Sequence, residues 1–507
     1  MIFEWSSDAS VAMARGEAAC LMISEAQVQG EGLPADWAAR VRLLSAAGLF
    51  SGKLGQVYIL PVMEQPVVIL AGCGKGQMGM HELRQLMAQT AKAAYRLKAA
   101  ALVVQIPVAL GGRAGALKAE KAGQAIAEGL VLGSYHRRQY KLEQAAYPGI
   151  DTVLLRMEGK SEAAEEEAWR QGIKRGQAFG EAVNLARDLT NRPGNLLTPS
   201  GLAVAAIEIA ERHGLPAEVL DERELAFKGM GGLLAVGSGS VNPPRMIVIR
   251  YQGTNQWENA VGIVGKGVTF DTGGISLKRA PGMESMHSDM AGAAAVLAVM
   301  DALGHLRPKV NVIMLIPAAE NMPAANAFKP GDIITTLSGR TIEIINTDAE
   351  GRIILGDALT YAREWEVQRI IDVATLTGAV VSILGDVATG AVTNDQAFLE
   401  ELLAASRLSG EQIWPLPVYP EFREMLTSEV ADLRNAAGRY GAASTAGLFI
   451  GEFAEGLPWV HLDIAGTAFL SAERGMNPKG ATGVMVRTLL EYLLSAAAEP
   501  DRRSPEG

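Results

Sequence analysis

Cysteine is nearly absent from this 507-residue chain: only Cys20 and Cys73 occur. A disulfide framework is excluded, and so is a zinc site of clustered thiolates and imidazoles, since histidine is also scarce at six residues. Any metal bound here must rest mainly on carboxylates. Positive charge is in the minority, with 46 Lys and Arg against 56 Asp and Glu and a formal net charge of −10. That balance argues against a protein whose main work is neutralising phosphate backbones, although a local basic patch is compatible with it. Long apolar runs are missing as well. The most apolar stretches, 99–112 and 371–389, are broken by Gln105 and by Asp372 and Asp386. Neither supplies the roughly 18 clean apolar residues of a spanning helix. The opening MIFEWSSDASVAMARGE carries acids early and has no basic segment leading into an apolar one, so no secretory signal is expected. Together these absences predict a chain without a membrane partner, in the reducing cytoplasm.

What is present is a large core. Hydrophobic residues make up 49% and charged residues 20%, and the length suggests two or three domains. Short β-rich runs at 57–62, 67–71 and 102–107 alternate with helical patterns at 82–98 and 117–132. A polar, helix-favouring stretch begins near residue 158 and ends at Pro193-Gly194, which predicts a domain joint. Alternation then resumes, with strands expected at 246–251, 261–265, 310–316, 342–346, 370–374 and 460–464, and helices at 291–306 and 353–364. The chain is therefore expected to be α/β in two domains: 1–160, a connecting helix over 161–195, a larger domain over 196–498 around a central sheet, and a frayed tail at 499–507.

Two segments place charge among glycine and apolar residues. In 261–296 an apolar strand runs into Lys266, Asp271, Lys278 and Asp289. In 342–359 another runs into Asp348, Glu350 and Arg352, which point to one side if the chain there is extended. Ligand sites of open α/β sheets lie beyond the carboxyl ends of strands, where both segments would deliver these groups. Four carboxylates crowded together repel unless cations hold them, and a metal pair bridged by carboxylates answers that need. Taken singly, each feature has a plainer explanation. Asp289 could simply favour a helix N-terminus, and Asp348 and Glu350 could form a solvated strand end paired with Arg352.

The strings NTDAEGR at 346–352 and VGKGVTFDTGGISLK at 264–278 resemble the leucyl aminopeptidase (cytosol aminopeptidase) family of two-metal exopeptidases. The resemblance extends through NLARDLTNRPGNLLTPS at 184–200, DVATLTGA at 372–379 and HLDIAGTAF at 461–469. It implies a macro-like α/β N-terminal domain and a catalytic domain with a central mixed sheet. Carried over by residue, Asp271 and Glu350 would bridge two divalent ions, Asp348 would complete one site, and Lys266 and Asp289 the other. Mn or Zn is implied, with Mg or Co also compatible. Lys278 would polarise the substrate carbonyl, and Arg352 would hold a bicarbonate acting as general base. Thr375, Leu376 and Gly378 resemble substrate-backbone contacts, and Met286 and Asn346 a first side-chain pocket. Peptides with a free N-terminus and a homohexameric assembly follow from the same resemblance, as does a preference for Leu and other hydrophobic first residues. His287, Ser288, Ala291 and the LKRAPGM string at 277–283 depart from the usual pattern without touching a ligand position.

Two rival readings use other features. A two-metal phosphoesterase would also need carboxylates but commonly adds histidine ligands, and His81, His136, His213 and His305 show no partner spacing. His461 reads as a core histidine. A DNA-binding or regulatory side role of the N-terminal domain would rest on the basic run His136–Lys141, for which a solvated face is the simpler account.

Overall fold

The computed structural model describes residues 1–6, 17–29, 33, 35–60, 67–76, 78–107, 110, 117–142, 149–157 and 162–498. The expected tail at 499–507 lies outside these residues. The chain divides into two compact units. The first comprises Met1–Glu181 together with the late segment Glu473–Pro478, and the second holds Ala182–Ala472 and Lys479–Gly507. The boundary thus falls inside the helix Ala163–Thr190, and a short piece of the late chain belongs with the early one.

In the first unit a six-stranded sheet runs Ile2–Ser6, Thr152–Met157, Ala101–Ile106, Glu17–Ile23, Val67–Gly72, Val57–Leu60. All pairs are parallel except the last, which is antiparallel. The central strands are near-continuous apolar runs because both faces are covered. Helices Met80–Arg96 and Ala119–Gly133 pack together and carry a fully buried ion pair, Arg84 Nε to Glu128 Oε1 at 2.7 Å. Lys92 of the first helix reaches Glu473 Oε1 and the Gly475 carbonyl, both at 2.6 Å, and so ties in the late segment. The basic run after Ala119–Gly133 is irregular and largely exposed, with His136 stacked on Tyr95 at 3.6 Å between ring centroids.

The second unit is built on a nine-stranded mixed sheet. Its order is Ile413–Pro415, Thr389–Thr393, Trp459–Asp463, Arg369–Ala374, Val261–Gly265, Asn311–Asn321, Arg245–Gln252, Ala217–Leu220, with Gly267–Asp271 paired to Asn311–Asn321. Four neighbouring strands at its centre, from Trp459–Asp463 through Asn311–Asn321, are parallel. Their carboxyl ends therefore open on one edge. The helix Ala291–Leu306 is apolar all round because it is buried nearly throughout. With the turn before it, Met283–Leu306 is the one helical stretch among the described residues long and apolar enough to cross a membrane, and 89% of its apolar window is buried inside the fold.

One expected strand is corrected. Residues 342–346 do not form a strand of the main sheet. Only Thr341–Glu343 is extended, in a separate three-stranded sheet, and the helix Gly351–Arg363 begins eight residues later. Asp348, Glu350 and Arg352 therefore do not alternate along an extended chain: the first lies in a turn, the second caps the helix and the third sits in its first turn. A turn followed by a helix start delivers the acids to the strand-end edge instead.

Candidate metal centre

Four of the charged groups at this edge stand at or beside the ends of regular elements. Lys266 follows the strand Val261–Gly265, and its backbone N–H donates to the Val373 carbonyl at 3.0 Å. Asp271 is the last residue of its strand, and Asp289 precedes the helix Ala291–Leu306. Glu350 caps Gly351–Arg363 at the opposite side. The close fit is visible at Gly351, where a Cβ would lie 2.5 Å from Lys266 Cε and 2.7 Å from Nζ. Gly351→Ala is therefore expected to displace Lys266 and to lower stability by about 1–3 kcal/mol, the usual cost of overpacking. Denaturant melts of the variant would show it, and an unchanged midpoint would refute this packing argument.

The convergence is tight. Lys266 Nζ lies 2.8 Å from Asp289 Oδ2, 2.9 Å from Glu350 Oε1 and 2.9 Å from the Thr375 carbonyl. Lys278 Nζ contacts Asp271 Oδ2 at 2.7 Å and also Asp348. Asp271, Asp348 and Glu350 each offer a carboxylate oxygen within 4.8 Å of the others. Asp271 Oδ1 accepts from the Gly273 N–H at 2.8 Å and from Asn321 Nδ2 at 2.9 Å, which fixes its rotamer.

Lys266 and Lys278 each bridge two of these acids. Burial opposes charge on Lys266, yet Asp289, Glu350 and Asp271 outweigh it and keep the ammonium above the ordinary lysine range. Burial, then repulsion from Glu350 and Asp289, pushes Asp271 up to about 8. Burial likewise pushes Asp289 up to about 6 against the pull of Lys266. Burial raises Glu350 too, but Lys266 and Lys278 outweigh it and leave that carboxyl below its usual range. Two ammonium groups do not balance four carboxylates, and dications held by Lys266, Asp271, Asp289, Asp348 and Glu350 would supply the missing positive charge, which this donor set fits.

A cavity of about 470 Å³ opens over these groups. Lys266, Asp271, Lys278, Met286, Asp289, Asp348, Glu350, Thr375, Leu376 and Gly378 all line it. Asn346 and Arg352 are not among its lining residues. Asn346 Oδ1 instead accepts the Asp348 N–H at 2.9 Å, so it shapes the turn that carries this acid rather than a side-chain pocket. Arg352 is 7% exposed and its Nη1 donates to the Asn435 carbonyl at 2.9 Å, while Nε is buried without a hydrogen-bond partner. Burial lowers this guanidinium to about 10. Thr375 turns inward: Oγ1 donates to Asp289 Oδ1 at 2.7 Å while its carbonyl holds Lys266, so it braces two of the converging groups.

Other contributors were not legible in the sequence. Asp463 accepts from the Leu376 N–H at 3.1 Å and from Thr377 Oγ1 at 2.7 Å, and so orders the loop beside the cavity. Ala468 and Phe469 add apolar lining next to Met286. Asp463, Ala468 and Phe469 lie inside HLDIAGTAF, a string that marked a family without marking roles. His461 is fully buried, with Nδ1 at 2.6 Å from Asp372 Oδ1, as a core histidine should be. No histidine lines the cavity.

Comparison with known proteins agrees with this geometry. The model for the catalytic domain of the cytosol aminopeptidase family matches residues 184–490, and that for the family's N-terminal domain matches 23–144. A probable cytosol aminopeptidase of Alkaliphilus metalliredigens (strain QYMF) is 44% identical over 451 residues, 88% of this chain and 89% of that one. One of Bacillus subtilis (strain 168) is 47% identical over 382 residues, 75% and 76% of the two chains. Among solved structures, a mutant tomato leucine aminopeptidase shares 32% identity with a TM-score of 0.84, covering 98% of this chain and 96% of its own. The bottromycin maturation enzyme BotP in complex with Mn shares 35% identity with a TM-score of 0.84, covering 96% and 100%. The two-unit α/β fold thus has its counterpart in an enzyme family, and the chain belongs to the cytosol aminopeptidase family of metal-dependent aminopeptidases.

Proposed function

We propose that the chain removes N-terminal residues from peptides with a free amino group, preferring Leu and other hydrophobic first residues. The observation that carries this reading is one cavity lined by two chemistries: the convergent acids and lysines, and the apolar side chains of Met286, Leu376, Val381, Ala468 and Phe469. Lys266, Asp271, Asp289, Asp348 and Glu350 are the residues that would hold two divalent ions, Mn or Zn foremost, with Mg and Co as alternatives. When bound, such ions supply Lewis acidity that polarises a carbonyl and acidifies water near neutral pH.

The chain's own groups do the positioning. Lys278 is 24% exposed on its side chain and reaches into the cavity, so its ammonium can donate to a carbonyl oxygen as negative charge grows there. Burial opposes its charge, but Asp271, Glu350 and Asp348 hold it above the ordinary lysine range, so it stays protonated through neutral pH. Arg352, whose buried Nε lacks a partner, would hold a bicarbonate, which supplies a general base. An apolar wall discriminates side chains only modestly, about 1–3 kcal/mol per methylene, so a graded preference follows rather than an absolute one. The reading includes a homohexameric, cytoplasmic enzyme, and nucleic acid has no part in it.

The test is a matched substrate pair. Leucine p-nitroanilide should be hydrolysed by the Mn- or Zn-loaded protein, and its N-acetyl derivative should be turned over at least about 100-fold more slowly. Equal rates on the two, or faster hydrolysis of p-nitrophenyl phosphate than of the anilide, would refute the proposal.

A further inference from the structure

The centre described above leaves one cluster of metal-binding side chains unused. At the C-terminal ends of the helices Pro199–His213 and Ala291–Leu306, His213, Asp301 and His305 bring one ligand atom each within 4.8 Å of one another. His213 Nε2 is 2.8 Å from Asp301 Oδ1, and His305 Nδ1 is 3.9 Å from Oδ2 of the same carboxylate. The two imidazoles meet edge to face, with centroids 4.5 Å apart. We propose that these three residues form a separate site for a single transition-metal dication such as Zn²⁺.

The site has a preformed part and an open part. His213 and Asp301 are buried, at 9% and 7% exposure, whereas the His305 side chain is half exposed. The His213 ring is seated in a slot left by Gly304, where a Cβ would come within 2.2 Å of its Cγ. Arg307 fixes the same residue from its backbone, Nη2 donating to the His213 carbonyl at 2.6 Å. Two ligands are thus held before an ion arrives, and the third closes from solvent, leaving a position for water. Two imidazoles with one carboxylate favour Zn, Co, Ni or Cu over Mg, unlike the lysine-and-carboxylate centre at the other end of Ala291–Leu306.

Two contacts compete with the ion. Arg212 Nη1 donates to Asp301 Oδ1 at 2.8 Å, but its side chain is 52% exposed and it leaves Oδ2 facing His305. His305 Nδ1 lies 3.0 Å from the Asp301 carbonyl oxygen, a contact that a ring rotation exchanges for the ion.

The experiment dialyses the Mn-loaded protein and its His305→Ala and Asp301→Asn variants against buffered micromolar Zn²⁺, then measures zinc and manganese per chain by mass spectrometry. Wild type should carry one more metal equivalent per chain than either variant. His305→Ala, altered at an exposed position, should keep full aminopeptidase activity, which shows that the difference is local. Equal metal content in wild type and His305→Ala would overturn the proposal and leave the cluster as an Asp301-centred ion-pair network.

Discussion

Glu350→Ala is expected to abolish metal retention and with it nearly all peptidase activity. Glu350 is 1% exposed and directly precedes the helix Gly351–Arg363, its carboxylate 2.9 Å from Lys266 Nζ and with an oxygen each of Asp271 and Asp348 within 4.8 Å. Removing it takes away the group best placed to face both lysine-bearing halves of the site. It also leaves Lys266 with Asp289 as its one carboxylate contact within 3 Å. Metal analysis after gel filtration should find the variant depleted, and activity on leucine p-nitroanilide should fall by at least about 10³-fold. A variant that kept both its metal and its rate would show that Glu350 is not a ligand. Glu350→Gln separates charge from cap geometry, because the amide keeps the shape and should still lose the metal.

Lys278→Ala should produce the opposite pattern, with metal kept and rate lost. Its Nζ contacts Asp271 and Asp348, yet it is the less buried of the two lysines and lines the cavity. Ions held by those acids would leave the ammonium to meet the substrate. Deleting one preorganised donor to a developing oxyanion costs about 10²–10³ in kcat, with KM moving far less. Metal content equal to wild type alongside such a kcat loss is the expected result. Wild-type kcat would remove Lys278 from the chemistry, and loss of metal would reassign it to metal retention.

The sequence was most readable where one physical rule acted alone. The strand Val261–Gly265 and the helix Ala291–Leu306 are apolar runs bounded by charge and by small residues, and both lie where periodicity predicts. The acids and lysines were visible because buried charge beside glycine is rare. Rules in competition were harder to separate. The stretch 342–346 reads as a strand, but only Thr341–Glu343 is extended, Asn346 accepts the Asp348 N–H in a turn, and helix starts at Gly351. Partners far apart in the chain left no local trace at all. Asn321 orients Asp271 across 50 residues, and Asp463 orders Leu376 across 87. His213 and His305 show no partner spacing in the sequence because two helices, not one motif, bring the rings together.

The late segment Glu473–Pro478 carries a consequence for how the protein is made. Lys92 meets Glu473 and Gly475 within the first unit, yet 381 and 383 residues separate these partners. A ribosome adding about 5–20 residues per second would have the sheet of the first unit outside the exit tunnel long before that segment exists. The early unit therefore waits for nearly the whole chain to be synthesised before its last contacts close. A fragment ending at Glu181 would lack them permanently. Separating the two halves for study calls for a circularly permuted or two-piece design, not a single cut.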